Sequence, residues 1–315
     1  MKPLSETNST KKPFGFLILD KPPGLTSHDC VQRVRRIFGI KRVGHAGTLD
    51  PSVTGVLPIA LGNATRLIPY LEGTKTYLGI IKLGQKTSTD DLQGEILKIN
   101  ALPELSSTDL DQYLNQFRGS IKQRPPQVSS ININGERAYK RHRKGEEIIM
   151  PYKQVKIHDL KLLKWDLSKG ELEISIDCSS GTYIRSIARD LGEAIGCGGC
   201  LSELRRIQAL GFTVDQAINI PDKLEKTNEI LNSIKNPINA LNHLPNITLI
   251  NNKELEYWQT GRTIELEKER VKDFYSSHLD QLNITVLLED EVVGIGEWYC
   301  NLSILKPKVV LNSRG

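Results

Sequence analysis

The sequence has no apolar run near the ~18 residues that a membrane-spanning helix needs. Its first thirteen residues, MKPLSETNSTKKP, contain no apolar h-region, so they read as a loose tail and not as a secretory signal. Cysteine is scarce and odd in number: five, at 30, 178, 197, 200 and 300, spread over 315 residues. That spread argues against the disulfide framework of a small secreted protein and fits a reducing compartment, so the expected location is cytoplasmic. Cys197 and Cys200 form a C-x-x-C, but no second pair or flanking histidine completes a four-ligand zinc set, so no metal is expected. No phosphate-cradling glycine loop, dinucleotide fingerprint, internal repeat or low-complexity tract is present. A strong charge excess is also missing. The chain has 42 Lys plus Arg against 37 Asp plus Glu, and the resulting +5 permits a polyanionic partner without demanding one.

With 38% hydrophobic and 25% charged residues the composition is that of an ordinary soluble globular protein. The length exceeds what one hydrophobic core usually serves, so a large domain plus a small one is expected. Phe14 to Leu19 reads as a strand stopped by Asp20-Lys21-Pro22-Pro23-Gly24. A helix follows, capped by Thr26 or Ser27, with Asp29 at its positive end and Val31, Val34 and Ile37 at helical spacing. Val56 to Leu61, a helix from about Ala64 to Leu71 and a strand from Thr76 to Leu83 come next. Leu172, Ile174, Ile176 and Cys178 alternate with polar residues, the mark of a half-buried strand. After Ser179-Ser180-Gly181-Thr182 the chain restarts as an amphipathic helix through Ile184, Ile187, Ala188, Leu191 and Ile195, with Thr182 as its expected cap. Tyr183 and Arg185 thus sit at a strand-to-helix junction, where rigid scaffolds present functional side chains. Beyond a loop-like stretch from Asn236 to Pro245, short strands recur at 247–250, 284–288, 292–298 and 302–311, with Glu289-Asp290-Glu291 as a hairpin turn.

Gly44, Gly47 and Gly55 surround Asp50, which lets the backbone bring a ligand close. Read alone, the loop fits a carboxylate site and a plain surface turn equally well.

The string KRVGHAGTLDPSVTGVL, from Lys41 to Leu57, resembles the signature of the TruB family of tRNA pseudouridine synthases. Four further blocks agree in order and spacing: FLILDKPPGLTSHDCVQRVRR, KTYLGIIKLGQKTSTDDLQG, CSSGTYIRSIARDLGEAIGCGGC and LSELRR. Together they span about 200 residues, too many ordered matches for an accident. The tail, with Trp258, Gly261, the strand from Val292 to Trp298 and Lys306-Pro307-Lys308, is similar to the PUA-like domain that follows in this family.

The resemblance implies an α+β fold: a catalytic domain over 14–240, with a central mixed, largely antiparallel sheet flanked by helices, and a small β-rich PUA-like domain over 245–315. Residues 1–13 form a disordered tail, and an insertion at about 120–155 contacts RNA. It implies isomerisation of uridine 55 in the T loop of tRNA, a reaction with no net gain or loss that positioned acids and bases can run without a cofactor. Asp50 becomes the carboxylate that acts as the glycosidic bond breaks, a charge demand comparable to glycoside hydrolysis. Arg185 is its cationic partner, which keeps an enclosed carboxylate ionised. Tyr77 packs on the uracil and is a candidate for moving the proton, although an ordinary phenol is a poor base. His45 fills the space left by the flipped base. Tyr183, Leu204 and Asp91 match further pocket positions, with plain core packing as the alternative for the first two. Arg141, Arg143 and Lys144, in a run that a solvated surface would also explain, are expected on the RNA backbone. The expected partner is tRNA, gripped at the T arm and at the acceptor end through the C-terminal domain, with the protein a monomer. One departure stands out: the family commonly has Ser-Ala-x-Lys after the proline pair, where this chain has Ser129-Ser130-Ile131-Asn132. Val53, where a smaller Ala is frequent, is a milder one. A tRNA-folding chaperone, alone or alongside catalysis, and an RNA N-glycosidase are the rival readings.

Overall fold

In the computed structural model, which describes residues 13–129, 131–133, 135–146, 148–220, 227–271 and 280–311, two strands have unbroken apolar runs because both of their faces are covered. In β1 (Gly15–Lys21), Leu17 and Leu19 enter the main core while Phe16 and Ile18 face the C-terminal sheet. After α1 (Ser27–Phe38) and β2 (Val43–His45), β3 (Thr54–Leu61) divides in the same way, with Leu57, Ile59 and Leu61 on one side and Val56 and Ala60 on the other. Then come β4 (Lys75–Leu83), the hairpin of β5 (Gln85–Thr87) and β6 (Ile96–Ile99), α2 (Ser107–Asn115) and β7 (Gly119–Gln123). A small hairpin of β8 (Asn132–Ile133) and β9 (Glu136–Arg137) leads into α3 (Ala138–Arg143). The strands β10 (Lys153–Asp166) and β11 (Glu171–Cys178), α4 (Ile184–Ile195), β12 (Gly199–Ala209), β13 (Phe212–Thr213) and β14 (Ile218–Asn219) complete the larger unit.

Ten of these strands make one mixed sheet in the order β14-β1-β3-β12-β4-β11-β10-β7, with β2 on β3 and β13 on β12. Only β14 on β1 and β12 on β3 are parallel. The parallel contact requires a glycine: a Cβ on Gly55 would lie 2.1 Å from the Arg206 carbonyl oxygen. Leu172, Ile174, Ile176 and Cys178 of β11 all point into the core, where Ile187, Ala188 and Leu191 of α4 meet them.

A second sheet orders β15 (Asn246–Thr248), β17 (Gln281–Leu288), β18 (Glu291–Tyr299), β19 (Ile304–Val310) and β16 (Ile264–Glu265), so the chain has the expected α+β form with a β-rich C-terminal unit. Glu289, at φ 54°, turns the β17–β18 hairpin, as the Glu-Asp-Glu run suggested. Trp258 and Trp298 fill the core of this unit, while Leu287, Val292, Ile295 and Val309 pack against Phe16, Ile18 and Ala60 of the main sheet. Among the described residues no helix is long and apolar enough to cross a membrane.

Two local expectations change. The helix expected at about Ala64 to Leu71 is a 3₁₀ helix over Gly62–Tyr70, with Pro69 in its last turn. Thr182 does not cap α4: its hydroxyl donates to the Ser179 carbonyl, and Tyr183 is the N-cap, without a side-chain cap bond. Of the expected tail, residues 1–12 lie outside the described residues.

Candidate active site

Asp50 sits on a loop that is tied down on every side. Ala46 N–H donates to the Pro58 carbonyl at 2.9 Å, and Ser27 Oγ both accepts from Leu49 N–H at 2.8 Å and donates to the Leu49 carbonyl at 3.2 Å. Leu49 and Val53 are anchored in the core on either side of the carboxylate. The fully buried Lys21 reaches the loop from β1 and donates to the carbonyls of Pro22, Leu25 and Pro51 at 2.9, 2.7 and 3.1 Å. Burial lowers its pKa, and three carbonyl acceptors take the place of a counterion. Asp29, whose carboxylate accepts from Thr26 while Thr26 Oγ1 accepts from Asp29 N–H, closes the cap of α1 beside Ser27. The carboxylate of Asp50 is therefore presented by a fixed backbone, with its side chain 41% exposed.

Arg185 meets it from the second residue of α4, at 2.8 Å from Nη2 to Oδ2. A cation at the positive end of a helix is unfavourable, and the neighbourhood offsets that cost. Nη1 lies 3.6 Å from Asp91 and donates to the Thr89 carbonyl at 3.2 Å, while Nη2 also donates to the Val128 carbonyl at 3.0 Å. The side chain is only 7% exposed. One turn later Arg189 holds Asp90 and Asp190, each at 2.8 Å, and the Arg124 carbonyl at 2.8 Å. Gln123, at the end of β7, brackets the start of the helix by accepting from Tyr183 N–H and donating to the Tyr183 carbonyl.

A cavity of about 590 Å³ opens over this pair, in the size range of small-molecule sites. Asp50, Arg185, Tyr77, Tyr183, His45 and Leu204 all line it, so six of the seven pocket residues expected from the sequence converge. Asp91 is the exception. It reaches Arg185 from the other side and lines a second cavity of about 490 Å³, which also touches Asp50, Arg185 and Leu204. Tyr77 is almost fully buried, and burial raises its phenol pKa against the pull of the adjacent Arg206 guanidinium. Burial raises Tyr183 likewise. The half-buried His45 is shifted down by burial, and its Nδ1 is enclosed without a hydrogen-bond partner, so the ring is neutral at physiological pH.

The basic run behaves differently. Arg141 Nε pairs with Glu146 at 2.6 Å and Lys144 Nζ with Glu136 at 2.8 Å, while the side chain of Arg143 lies outside the described residues. The flanking glutamates could have given this away in the sequence. Three buried or half-buried cations escaped it altogether: Lys21, Lys75 and Arg206. Arg206 is fully buried, donating from Nε to the Val56 carbonyl at 2.7 Å and from Nη2 to the Gly47 carbonyl at 3.1 Å. Its only sequence sign was the LSELRR block. Among the described residues no three His, Cys, Asp or Glu side chains converge as metal ligands.

A mixed sheet with a carboxylate–guanidinium pair over a tyrosine-lined cavity is the frame of a pseudouridine synthase. The fold matches the chain in the crystal structure of a Cbf5-Nop10-Gar1 complex with a TM-score of 0.67 at 23% identity, over 96% of this chain and 86% of the other. The archaeal box H/ACA sRNP Nop10-Cbf5 complex gives 0.69 at 22%, over 96% and 88%. The model of the TruB family pseudouridylate synthase N-terminal domain matches residues 35–184, and that of the tRNA pseudouridylate synthase B C-terminal domain matches 185–236. The chain is 48% identical to tRNA pseudouridine synthase B of Prochlorococcus marinus (strain MIT 9313), over 96% of this chain and 99% of the relative. It is 51% identical to the protein of that name from Synechococcus sp. (strain CC9311), over the same shares. The chain belongs to the TruB family of pseudouridylate synthases.

Proposed function

We propose that the protein isomerises uridine to pseudouridine in tRNA, at position 55 of the T loop, with Asp50 as the essential carboxylate. The observation that carries this reading is the 2.8 Å Asp50–Arg185 pair at the edge of a nucleoside-sized cavity. The pair supplies a carboxylate, fixed by a guanidinium, where electron-poor carbon develops as the N-glycosidic bond breaks. Tyr77 offers a buried ring face for the uracil, and Tyr183 and Leu204 close the cavity around it. The target base leaves its stack at a cost of about a few kcal/mol, and the neutral His45 ring suits the apolar space it vacates. Re-attachment through C5 loses one proton there and gains one at N1, so no external reagent is consumed. Asp91 acts through Arg185, which it faces at 3.6 Å.

The segment at about 120–155 and the C-terminal sheet are the surfaces we assign to the T arm and the acceptor end, the latter as a PUA-like module following a catalytic domain of about 14–240. A monomer in the cytoplasm fits five cysteines that are all free and buried. An accompanying tRNA-folding role would use the same surfaces and survive the loss of Asp50.

The test is to incubate the protein with an unmodified tRNA transcript and map pseudouridine by position. Position 55 should convert, and Asp50→Asn should abolish conversion while RNA binding stays within about tenfold, because the carboxylate serves the transition state. Turnover by the variant would sink the assignment of Asp50, and conversion elsewhere would sink the assignment of the substrate.

A further inference from the structure

Lys75 lines one wall of the cavity, with Arg206 and Lys153 close behind it, and none of the three pairs with a carboxylate among the described residues. Lys75, the first residue of β4, lines the cavity with its side chain. Its Nζ and Nη1 of Arg206 lie over Gly47, at 3.2 and 3.4 Å from where a Cβ would stand there. Lys153, the exposed first residue of β10, lays its Nζ over Gly181, also on the cavity wall, at 2.2 Å from the corresponding point. Nη1 of Arg206 is buried with no hydrogen-bond partner. Most of the arginines around the cavity are matched: Arg185 with Asp50 and Asp91, Arg189 with Asp90 and Asp190, Arg205 with Asp20. Lys75, half-buried, and Arg206, fully buried, are cations without a carboxylate, which is costly, and their persistence points to an anion that arrives with a ligand. The mutual repulsion is visible at Lys75, which burial, Arg206 and Lys153 together bring down to about 8.

We propose that Lys75 and Lys153, backed by Arg206, form a subsite for one phosphodiester of the RNA backbone beside the flipped nucleotide. The proposal rests on the reading that the cavity takes a flipped uridine. Spacing supports it. Lys75 and Tyr77 lie two residues apart on one face of β4, about 6.6 Å along the strand. That is the reach from base to phosphate within one nucleotide, so a uracil on Tyr77 brings its own phosphate to Lys75. Asp50 across the same cavity repels a second anion and confines the charge to this wall. Arg141 and Lys144, already paired with Glu146 and Glu136, have less to offer a phosphate than these lysines.

The experiment measures binding of a T-arm stem-loop to the full chain over a series of salt concentrations, for the native protein, Lys75→Gln, Lys153→Gln and the double variant. The double substitution should lower the slope of log affinity against log salt by about 0.7–0.9, the counterion release of one phosphate, and each single substitution by part of that. A stem-loop with a neutral methylphosphonate at the target uridine should show the lowered slope with the native protein and bind the double variant as native RNA does. Unchanged slopes, or a methylphosphonate effect equal in the native and double-variant proteins, would overturn the subsite. Inorganic phosphate titrated at constant ionic strength should leave the stem-loop bound; its displacement from the native protein alone would mark a free-phosphate site and overturn the RNA assignment. Pseudouridine mapped on the same stem-loop keeps the two readings apart. No conversion by native protein refutes the function, whereas conversion with unchanged slopes refutes only the subsite.

Discussion

Replacing Arg185 by Gln removes one guanidinium that serves two carboxylates and two carbonyls, at 2.8, 3.6, 3.2 and 3.0 Å. Two unit charges about 4 Å apart attract by about 4 kcal/mol at an effective dielectric of 20. Removing one partner of a fully buried pair typically costs about 3–5 kcal/mol. Arg185 is 7% exposed but Asp50 is 41% exposed, so water recovers part of that loss at the carboxylate. We expect a stability loss of about 2–3 kcal/mol, to which the Val128 and Thr89 carbonyls contribute because Gln reaches at most one of them. The chain should still fold, since no hydrophobic group is removed from the core.

Activity should suffer more than stability. Without its cation the carboxylate loses its fixed position in the cavity, and a displacement of about 1 Å can cost about a hundredfold in rate. The assay is single-turnover pseudouridine formation on a T-arm stem-loop between pH 5 and 9, alongside urea unfolding. The variant should be slowed by at least about a hundredfold across that range. A variant as fast as native would refute the claim that Arg185 acts by holding the carboxylate in place.

Two further outcomes follow from the charges. Neutralising Arg141 and Lys144 should change the salt slope of RNA binding by less than 0.5 in total, because each already pairs with a glutamate; a fall of about 1.5 would show that RNA breaks those pairs. Lys75 has a pKa of about 8 in the folded chain against the ordinary lysine value of 10.5 when unfolded, so between those values the unfolded chain holds a proton that the folded chain has released. Stability should therefore rise with pH across that window, by up to about 3 kcal/mol. Cys178 and Cys200, pushed up by burial from 9.0 to about 11, act in the opposite sense above pH 9. The comparison is thus native against Lys75→Gln between pH 7.5 and 9, and parallel curves would refute the shift.

The parts legible in the sequence were those decided locally. Alternation fixed the face of β11 because each neighbouring strand supplies only more of the same core. Thr26 and Asp29 capped α1 because cap and partner lie three residues apart. Thr182 failed as a cap because the helix starts one residue later, at an N-cap Tyr183 bracketed by Gln123 sixty residues away, and its hydroxyl is spent on the Ser179 carbonyl. Arg206 was illegible because in a strand of mixed polarity an arginine reads as surface. It is buried only because β12 runs parallel to β3 over Gly55, which lets its side chain pass under Gly47. Three separate family blocks brought Asp50, Tyr77 and Arg185 together, but the sequence could not tell that Asp91 approaches Arg185 from a separate cavity.

That two-sided approach makes Arg185 a junction between three parts of the chain. It holds Asp50 from the loop after β2, Asp91 from the loop between β5 and β6, and the Val128 carbonyl from the segment after β7. Arg189, one turn along the same helix, ties the Asp90 loop to the Arg124 carbonyl of that segment. Residues 124–128 are thus fastened at both ends to α4, and the second fastening is shared with the carboxylate of Asp50. Any displacement of this segment by a bound RNA must stretch the Val128 bond, or rotate the guanidinium within its carboxylate pair. The charge partner of Asp50 is therefore coupled by hydrogen bonding to the stretch of chain that lies beside the cavity, so a shift of that stretch reaches the carboxylate through Arg185.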